Sequence, residues 1–404
     1  MRATISLCSL LLFLGPVWGA AETPERAPEV LRAHETQPWP VDESLRREAM
    51  AALDRGYQWL LAHQREDGSW SNRRFPALTA FPVWALAQSR HGFEKPVRRG
   101  VQFVLNHAQV DGGIYDPAAG LGVYNTAISM TALYQTGQPD LIPVIQNARK
   151  FMADAQHLVD DLYYGGMGYD RAAGREYADL SNSAWAFTAM RMTEGVEDFR
   201  EGERVDLDWE AALQFVQRTQ NLPDYNELPW ATDIPSERGG FVYRPDQTRA
   251  GTFVDDDGVV RLRSMPGMTY AGLLSYIYAE VDRDDPRVQA TVDWVIRHWQ
   301  LDRNNPISGG DERHDTEDER EGLFYLYNVM SKGLSAYGQD QLIREDGPPI
   351  NWRAELIETL LAHQRIDPKT GYGYWMNEVS RYWEGDAVLV TSYALLVIQM
   401  ALGM

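Results

Sequence analysis

The sequence predicts an all-α chain closed into an α6/α6 toroid, six helix-pair repeats forming an inner and an outer ring, and three observations predict it. First, the stretch Arg55 to Trp70, RGYQWLLAHQREDGSW, returns in part five more times before the C-terminus. Within it Tyr57, Trp59, Leu60, Leu61 and Gln64 recur at helical spacing, and Asp67-Gly68-Ser69 supplies turn chemistry that stops the helix. Second, each copy is followed by another helix richer in Ala, Ser, Thr and Met. Small side chains suit a crowded inner ring, and the charged side of the first helix suits an outer one. Third, the last helix carries Tyr393-Ala394-Leu395-Leu396-Val397-Ile398, too apolar for an exposed terminal cap. Closure of unit six onto unit one is therefore predicted over an open solenoid.

The units follow in order. Unit one runs from Asp42 to about Arg90, with an outer helix through Gln64 and an inner one through Phe81, Trp84 and Leu86. Unit two starts near Pro96, whose fixed φ suits a first helical turn, passes Val101 to His107, turns at Asp111-Gly112-Gly113 and resumes at Tyr124-Asn125-Thr126-Ala127. Unit three has Val144 to His157, the Gly165-Gly166 loop, then Asp179 to Trp185. Unit four has Trp209 to Gln220, Gly239-Gly240-Phe241, an acidic excursion at Asp255 to Asp257, and Met268 to Ala279. Unit five has Arg287 to Trp299, a charged loop from Ser308 to Glu321, and Leu323 to Ala336. Unit six has Trp352 to Gln364, Gly371 to Trp375, and Ala387 to Leu402.

Ahead of the repeats, Met1-Arg2, an apolar run from Ile5 to Leu14 and the small residues Gly19-Ala20-Ala21 read as a secretory signal over 1–21. An exported protein, periplasmic or extracellular, is the expectation. Residues 22–41, with Pro24, Pro28, Pro38 and Pro40 among charges, read as a flexible leader, and 42–404 as a single domain. Cys8, the only cysteine, lies inside the signal, so the mature chain has no disulfide, no thiolate metal site and no cysteine nucleophile. A formal charge of −20 argues against nucleic-acid binding, since phosphate neutralisation needs clustered Lys and Arg. Hydrophobic content of 44% with 13 Trp and 20 Tyr is ample for a large core.

Arg55-Gly56, Trp59-Leu60, Gln64 and Gly68-x-Trp70 together resemble the QW motif of squalene-hopene and oxidosqualene cyclases, relatives of the protein prenyltransferase β subunits. Arg99-Gly100 with Phe103 and Gly113-x-Tyr115, and Leu360 with Gln364 and Gly373-x-Trp375, are partial copies. The resemblance spans roughly residues 45 to 403. It implies the same toroid, with the motif as a corner brace outside the chemistry, and a hydrophobic isoprenoid or lipid as ligand. Membrane-surface association is compatible with such a ligand.

In that arrangement the inner helices begin at one end, and their positive dipole ends converge on a central cavity. Tyr124, Asn125, Asn182, Trp185, Tyr270, Tyr325, Tyr382 and Trp383 are the candidate ligand-contacting residues there, the aromatics able to stabilise a carbocation through their ring faces. Asp179 and Asp386 are the candidate catalytic carboxylates. The cyclases carry Asp-x-Asp-Asp-Thr-Ala at the entry to an inner helix; here Asp179 matches the first Asp, but Ser181 and Asn182 replace the next two, so the standard proton donor is missing. Asp282, Asp284 and Asp285 precede Pro286 and read as helix capping. No metal and no cofactor is predicted; the acidic loops read as solvated surface. Three functions remain: isoprenoid binding or modification, carbohydrate chemistry, and a non-catalytic scaffold or interaction module. An apolar tube favours the first, carboxylates paired across a cleft the second, and a filled centre the third.

Overall fold

A computed structural model describes residues 41–170, 177–304 and 319–404. The signal, nearly all of the leader, and loop residues His314, Asp315 and Asp318 lie outside the described residues. Among the described residues twelve α-helices come in six pairs: α1 (Glu43–His63) with α2 (Ala77–Ala87), α3 (Glu94–Leu105) with α4 (Gly122–Gln135), α5 (Ile142–Asp154) with α6 (Leu180–Met192), α7 (Trp209–Gln217) with α8 (Pro266–Tyr278), α9 (Pro286–Arg297) with α10 (Leu323–Tyr337), and α11 (Trp352–His363) with α12 (Ala387–Ala401). Even-numbered helices pack in sequence around a ring, and α12 returns to α2; α1 likewise meets α11. The chain is an all-α toroid. Two short antiparallel hairpins interrupt it, β1 (Thr252–Val254) with β2 (Val260–Leu262), and β3 (Arg365–Ile366) with β4 (Gly373–Tyr374). The acidic excursion Asp255 to Asp257 is the tip of the first.

The helices start where their side chains can hold the free backbone N–H groups. Asp42, Asp208, Asp285 and Asn351 cap α1, α7, α9 and α11 by accepting from Leu45, Ala211, Arg287 and Ala354 N–H. Burial then sorts the rings: α2, α8 and α12 are covered on nearly every side, whereas α3 and α9 bury one stripe.

The corners between rings repeat one hydrogen-bond scheme. Gln64 Nε2 donates to Gly68 O (3.0 Å) and to Pro96 O (2.9 Å) on the next outer helix. Gln156 joins Gly165 O to Asp208 O, and Gln220 joins Gly239 O to Arg287 O. Trp70 and Trp375 donate Nε1–H to Leu60 O (2.8 Å) and Leu360 O (2.7 Å). An inner-helix hydroxyl then takes the N–H of the residue after the turn: Thr79 from Trp70, Thr126 from Ile114, Ser183 from Met167, Thr269 from Phe241 and Thr391 from Trp375. This equivalence corrects one register. In unit two Ile114 occupies the position of Trp70, so Tyr115 lies one residue beyond it, its hydroxyl donating to Asp111.

The turn glycines are required by both torsion and space. Gly165 (φ 90) and Gly239 (φ 94) sit so close to the following outer helix that a Cβ would fall 1.8 Å from Ala211 O and 1.9 Å from Ala290 O. The same device closes the ring. Gln364 Nε2 donates to Ala52 O (2.9 Å), and its Oε1 accepts from Arg55 Nε (2.9 Å) and Nη2 (2.6 Å), tying residues more than 300 positions apart.

Candidate functional site

All inner helices run the same way, because each is reached through an antiparallel outer helix, so their N-termini share one end of the toroid, its mouth. Asp179 lies there, fully buried, as the cap of α6. Its carboxylate accepts from Asn182 N (2.9 Å) and Asn182 Nδ2 (2.7 Å). Burial raises its pKa, while the Asn182 and Tyr243 hydrogen bonds and the Arg249 charge act in the opposite direction. Tyr243 in turn bonds Tyr169 and Arg249, so one buried chain of polar groups runs under the rim. Ser181 donates to the Tyr325 hydroxyl (3.0 Å). The Asn182 Oδ1 atom is buried without a partner.

Asp386 caps α12, accepting from Val388 N (2.9 Å) and from the Ser71 hydroxyl. Asn125 is fully buried and ties two helix starts together: Oδ1 accepts from Ala77 N (3.1 Å) and Nδ2 donates to Leu121 O (2.9 Å). Tyr270 is wholly buried on α8, and the charge that acts on its hydroxyl is Glu355 of α11; its neighbour Thr269 accepts from Phe241 N in the corner brace.

Tyr124, Trp185 and Tyr325 do converge on the centre, where they pack against other side chains. Trp185 meets Phe81 edge to face (5.5 Å between ring centres), lies parallel to Tyr393 (6.5 Å) and approaches Tyr124 (6.4 Å). Tyr124 and Tyr393 share a hydrogen bond. Lys332 reaches in from α10, its Nζ 3.9 Å from the Trp185 ring centre and 4.8 Å from that of Trp84. A cavity of about 10 Å³ remains beside it, lined by Trp185, Thr188, Leu274, Tyr325 and Lys332 among others. That is room for one water-sized particle.

The rim differs. Tyr382 (φ 56) and Trp383 (φ 69) are consecutive non-glycine residues in the left-handed region, at a cost on the order of 1 kcal/mol or more each. Both are exposed, at 42% and 44%. Trp383 stands edge to face on Phe75 (4.8 Å), and the Tyr382 ring lies near the guanidinium groups of Arg381 (5.3 Å) and Arg249 (5.5 Å). The same turn sends the next residue inward. Glu384 is fully buried and accepts from Tyr325 N (2.7 Å), Phe324 N (3.2 Å) and Asn377 Nδ2 (2.7 Å). Burial raises its pKa to about 7 against these hydrogen bonds.

Sequence reasoning did not single out Lys332, Glu384, Arg249 or Tyr243. Lys332 was findable: it is the one charge in an otherwise apolar helix, one turn beyond Asn328. Glu384 was not, because its burial depends on the left-handed turn before it. At the acidic hairpin tip, Asp255 is engaged by Asp257 N, Val259 N and Arg261. Among the described residues no group of three or more His, Cys, Asp or Glu is placed to hold a metal ion, and no helix is long and apolar enough to cross a membrane.

No family model and no curated protein matches the sequence. Solved structures do match. The cellobiose 2-epimerase from Spirochaeta thermophila shares 13% identity, with 90% of this chain and 99% of that one covered, at a TM-score of 0.54. A type II terpene cyclase from Scytonema shares 12% (89% and 99% covered, TM-score 0.49), and the Candida albicans protein geranylgeranyltransferase-I 14% (87% and 90%, TM-score 0.46). At these identities the likeness is one of fold, the α/α toroid.

Proposed function

We propose that this chain is an exported, non-catalytic interaction module, a single toroid domain that docks a protein partner at its mouth through Tyr382 and Trp383. The observation that carries the reading is the filled centre. Ligand sites for small molecules enclose several hundred Å³, against about 10 Å³ here. Asp179 and Asp386 are both spent on capping helices, and Asn182 and Ser181 on hydrogen bonds, so neither candidate carboxylate is free. At the rim, by contrast, Trp, Tyr and Arg are the side chains that dominate protein interfaces, because large rigid surfaces bury much area at little entropic cost. The strained turn that buries Glu384 under the start of α10 leaves these two rings exposed beside each other.

A second reading keeps an isoprenoid-type ligand. It is favoured by the convergence of Phe81, Trp84, Tyr124, Trp185 and Tyr393, and it requires Trp185 and its neighbours to move aside. The readings separate when a photoreactive phenylalanine analogue replaces Trp383 in the exporting cell. The proposal expects a defined protein adduct that Tyr382→Ala weakens at least about tenfold. Irradiation that yields a lipid adduct, or none at all, would remove the protein-docking reading.

A further inference from the structure

We propose that the protein partner docked at the mouth presents a carboxylate to Arg249, on an acidic residue that lies beside an aromatic one. The inference rests on the docking reading above and names the chemistry of the partner. Arg249 lies in the loop ahead of β1, its guanidinium 4.6 Å from the Tyr243 ring centre and 5.5 Å from that of Tyr382. It is half-buried. The other arginines of this segment are matched within the chain, Arg244 by Asp246 (3.0 Å), Arg261 by Asp255 (2.6 Å) and Arg263 by Glu237 (3.6 Å). So is Arg381, which shares the Tyr382 ring and meets Glu321 at 3.1 Å. Arg249 forms no such pair among the described residues. The Tyr243 hydroxyl bonds it, and its Nε–H is buried without an acceptor. Asp179 feels its charge, but that carboxylate is fully buried and spent on the α6 cap.

Aromatic faces offset part of the hydration a cation loses, yet they leave its N–H fork unbonded. Two parallel donors of that fork fit one carboxylate. In a chain with 58 acidic residues against 38 basic ones, an arginine without an acid is the exception, and this one touches the ring that stands exposed next to Trp383. The charge balance selects the partner further. A basic segment is repelled by the guanidinium. Phosphate groups are held by clusters of arginines, and here Arg244 and Arg381 are already neutralised. The formal charge of −20 opposes a polyanion, so a single carboxylate flanked by an aromatic ring is the match for one guanidinium and two exposed rings.

The test uses two probes with the purified mature chain, para-fluorophenylalanine followed by glutamate, capped at both ends, and its glutamine twin. Fluorine NMR line widths should show the glutamate probe binding at least about fivefold more tightly, the difference a hydrogen bond to a charged group makes. Arg249→Gln should bring the two probes level. Because that substitution also removes contacts to Tyr243 and Tyr382, the wild-type comparison decides by itself. Equal broadening of both probes by wild type, or broadening of neither, overturns the carboxylate contact. The docking reading is judged separately, on the Trp383 adduct: a protein adduct that Arg249→Gln leaves undiminished keeps the docking and refutes the carboxylate.

Discussion

At the corner of repeat one, Gln64 and Trp70 direct three side-chain N–H groups at backbone carbonyls and each meets one, whereas on the inner helices Trp84 and Asn328 hold buried donors that meet none. Both regions are buried and rich in aromatics. The corner recurs in unit after unit with the same spacing, so each hydrogen bond is the solution to a local need: a helix has ended and its carbonyls want donors. The centre has no repeat, because six different side chains arrive from six helices. Polar groups there are not helix-end chemistry.

The largest effect expected from breaking a corner comes from Gly165→Ala. The new Cβ overlaps Ala211 O and the residue must hold φ 90, so we expect a loss of about 3 kcal/mol or more in urea unfolding. Gly202→Ala is the control: φ is 98 but nothing lies within 4 Å, so the loss should stay near 1 kcal/mol.

Next comes pH. Burial lifts Glu384 from 4.5 to about 7, so the folded chain holds this proton more tightly than the unfolded one. Its contribution is complete below about pH 4.5 and disappears as pH rises through 7, a difference of about 3 kcal/mol. Urea midpoints at pH 5 and pH 8 should show that fall in wild type and much less of it in Glu384→Gln.

A pair of smaller substitutions sharpens the contrast by sign. Gln364→Ala leaves Ala52 O without its donor at the ring closure and should cost about 2 kcal/mol. Lys332→Met should instead stabilise the chain by about 1 to 3 kcal/mol, because it replaces a buried amine, whose pKa burial pushes well down, with an apolar side chain of similar shape. Two losses of similar size would erase the distinction between corner and centre.

The same contrast explains what the sequence disclosed. Closure was legible because the apolar face of α12 had nowhere else to go, and the turns because glycine is the residue that tolerates their torsion and crowding. Gln64 and Gln364 stood out beside Trp70 and Trp375. Gln156 and Gln220 do the same work but were passed over, since Met167 and Phe241 fill the tryptophan position there. Tyr115 was placed one residue off because aromaticity was followed where the hydroxyl brace decides register. Of the candidate site, Asp179 matches the first Asp of the cyclase pattern and caps α6, Tyr270 is wholly buried near Glu355, and Lys332 was not singled out. The limit has one cause. Repeats predict helix ends, and the orientation of a side chain inside the ring depends on five other helices.

The claim that the ring is filled by its own side chains is tested most directly by native mass spectrometry of the purified mature chain after incubation with farnesol, geranylgeraniol and squalene. The account predicts the bare protein mass with each lipid and no altered lipid in the extract. A stoichiometric isoprenoid adduct that disappears in Trp185→Ala would contradict it.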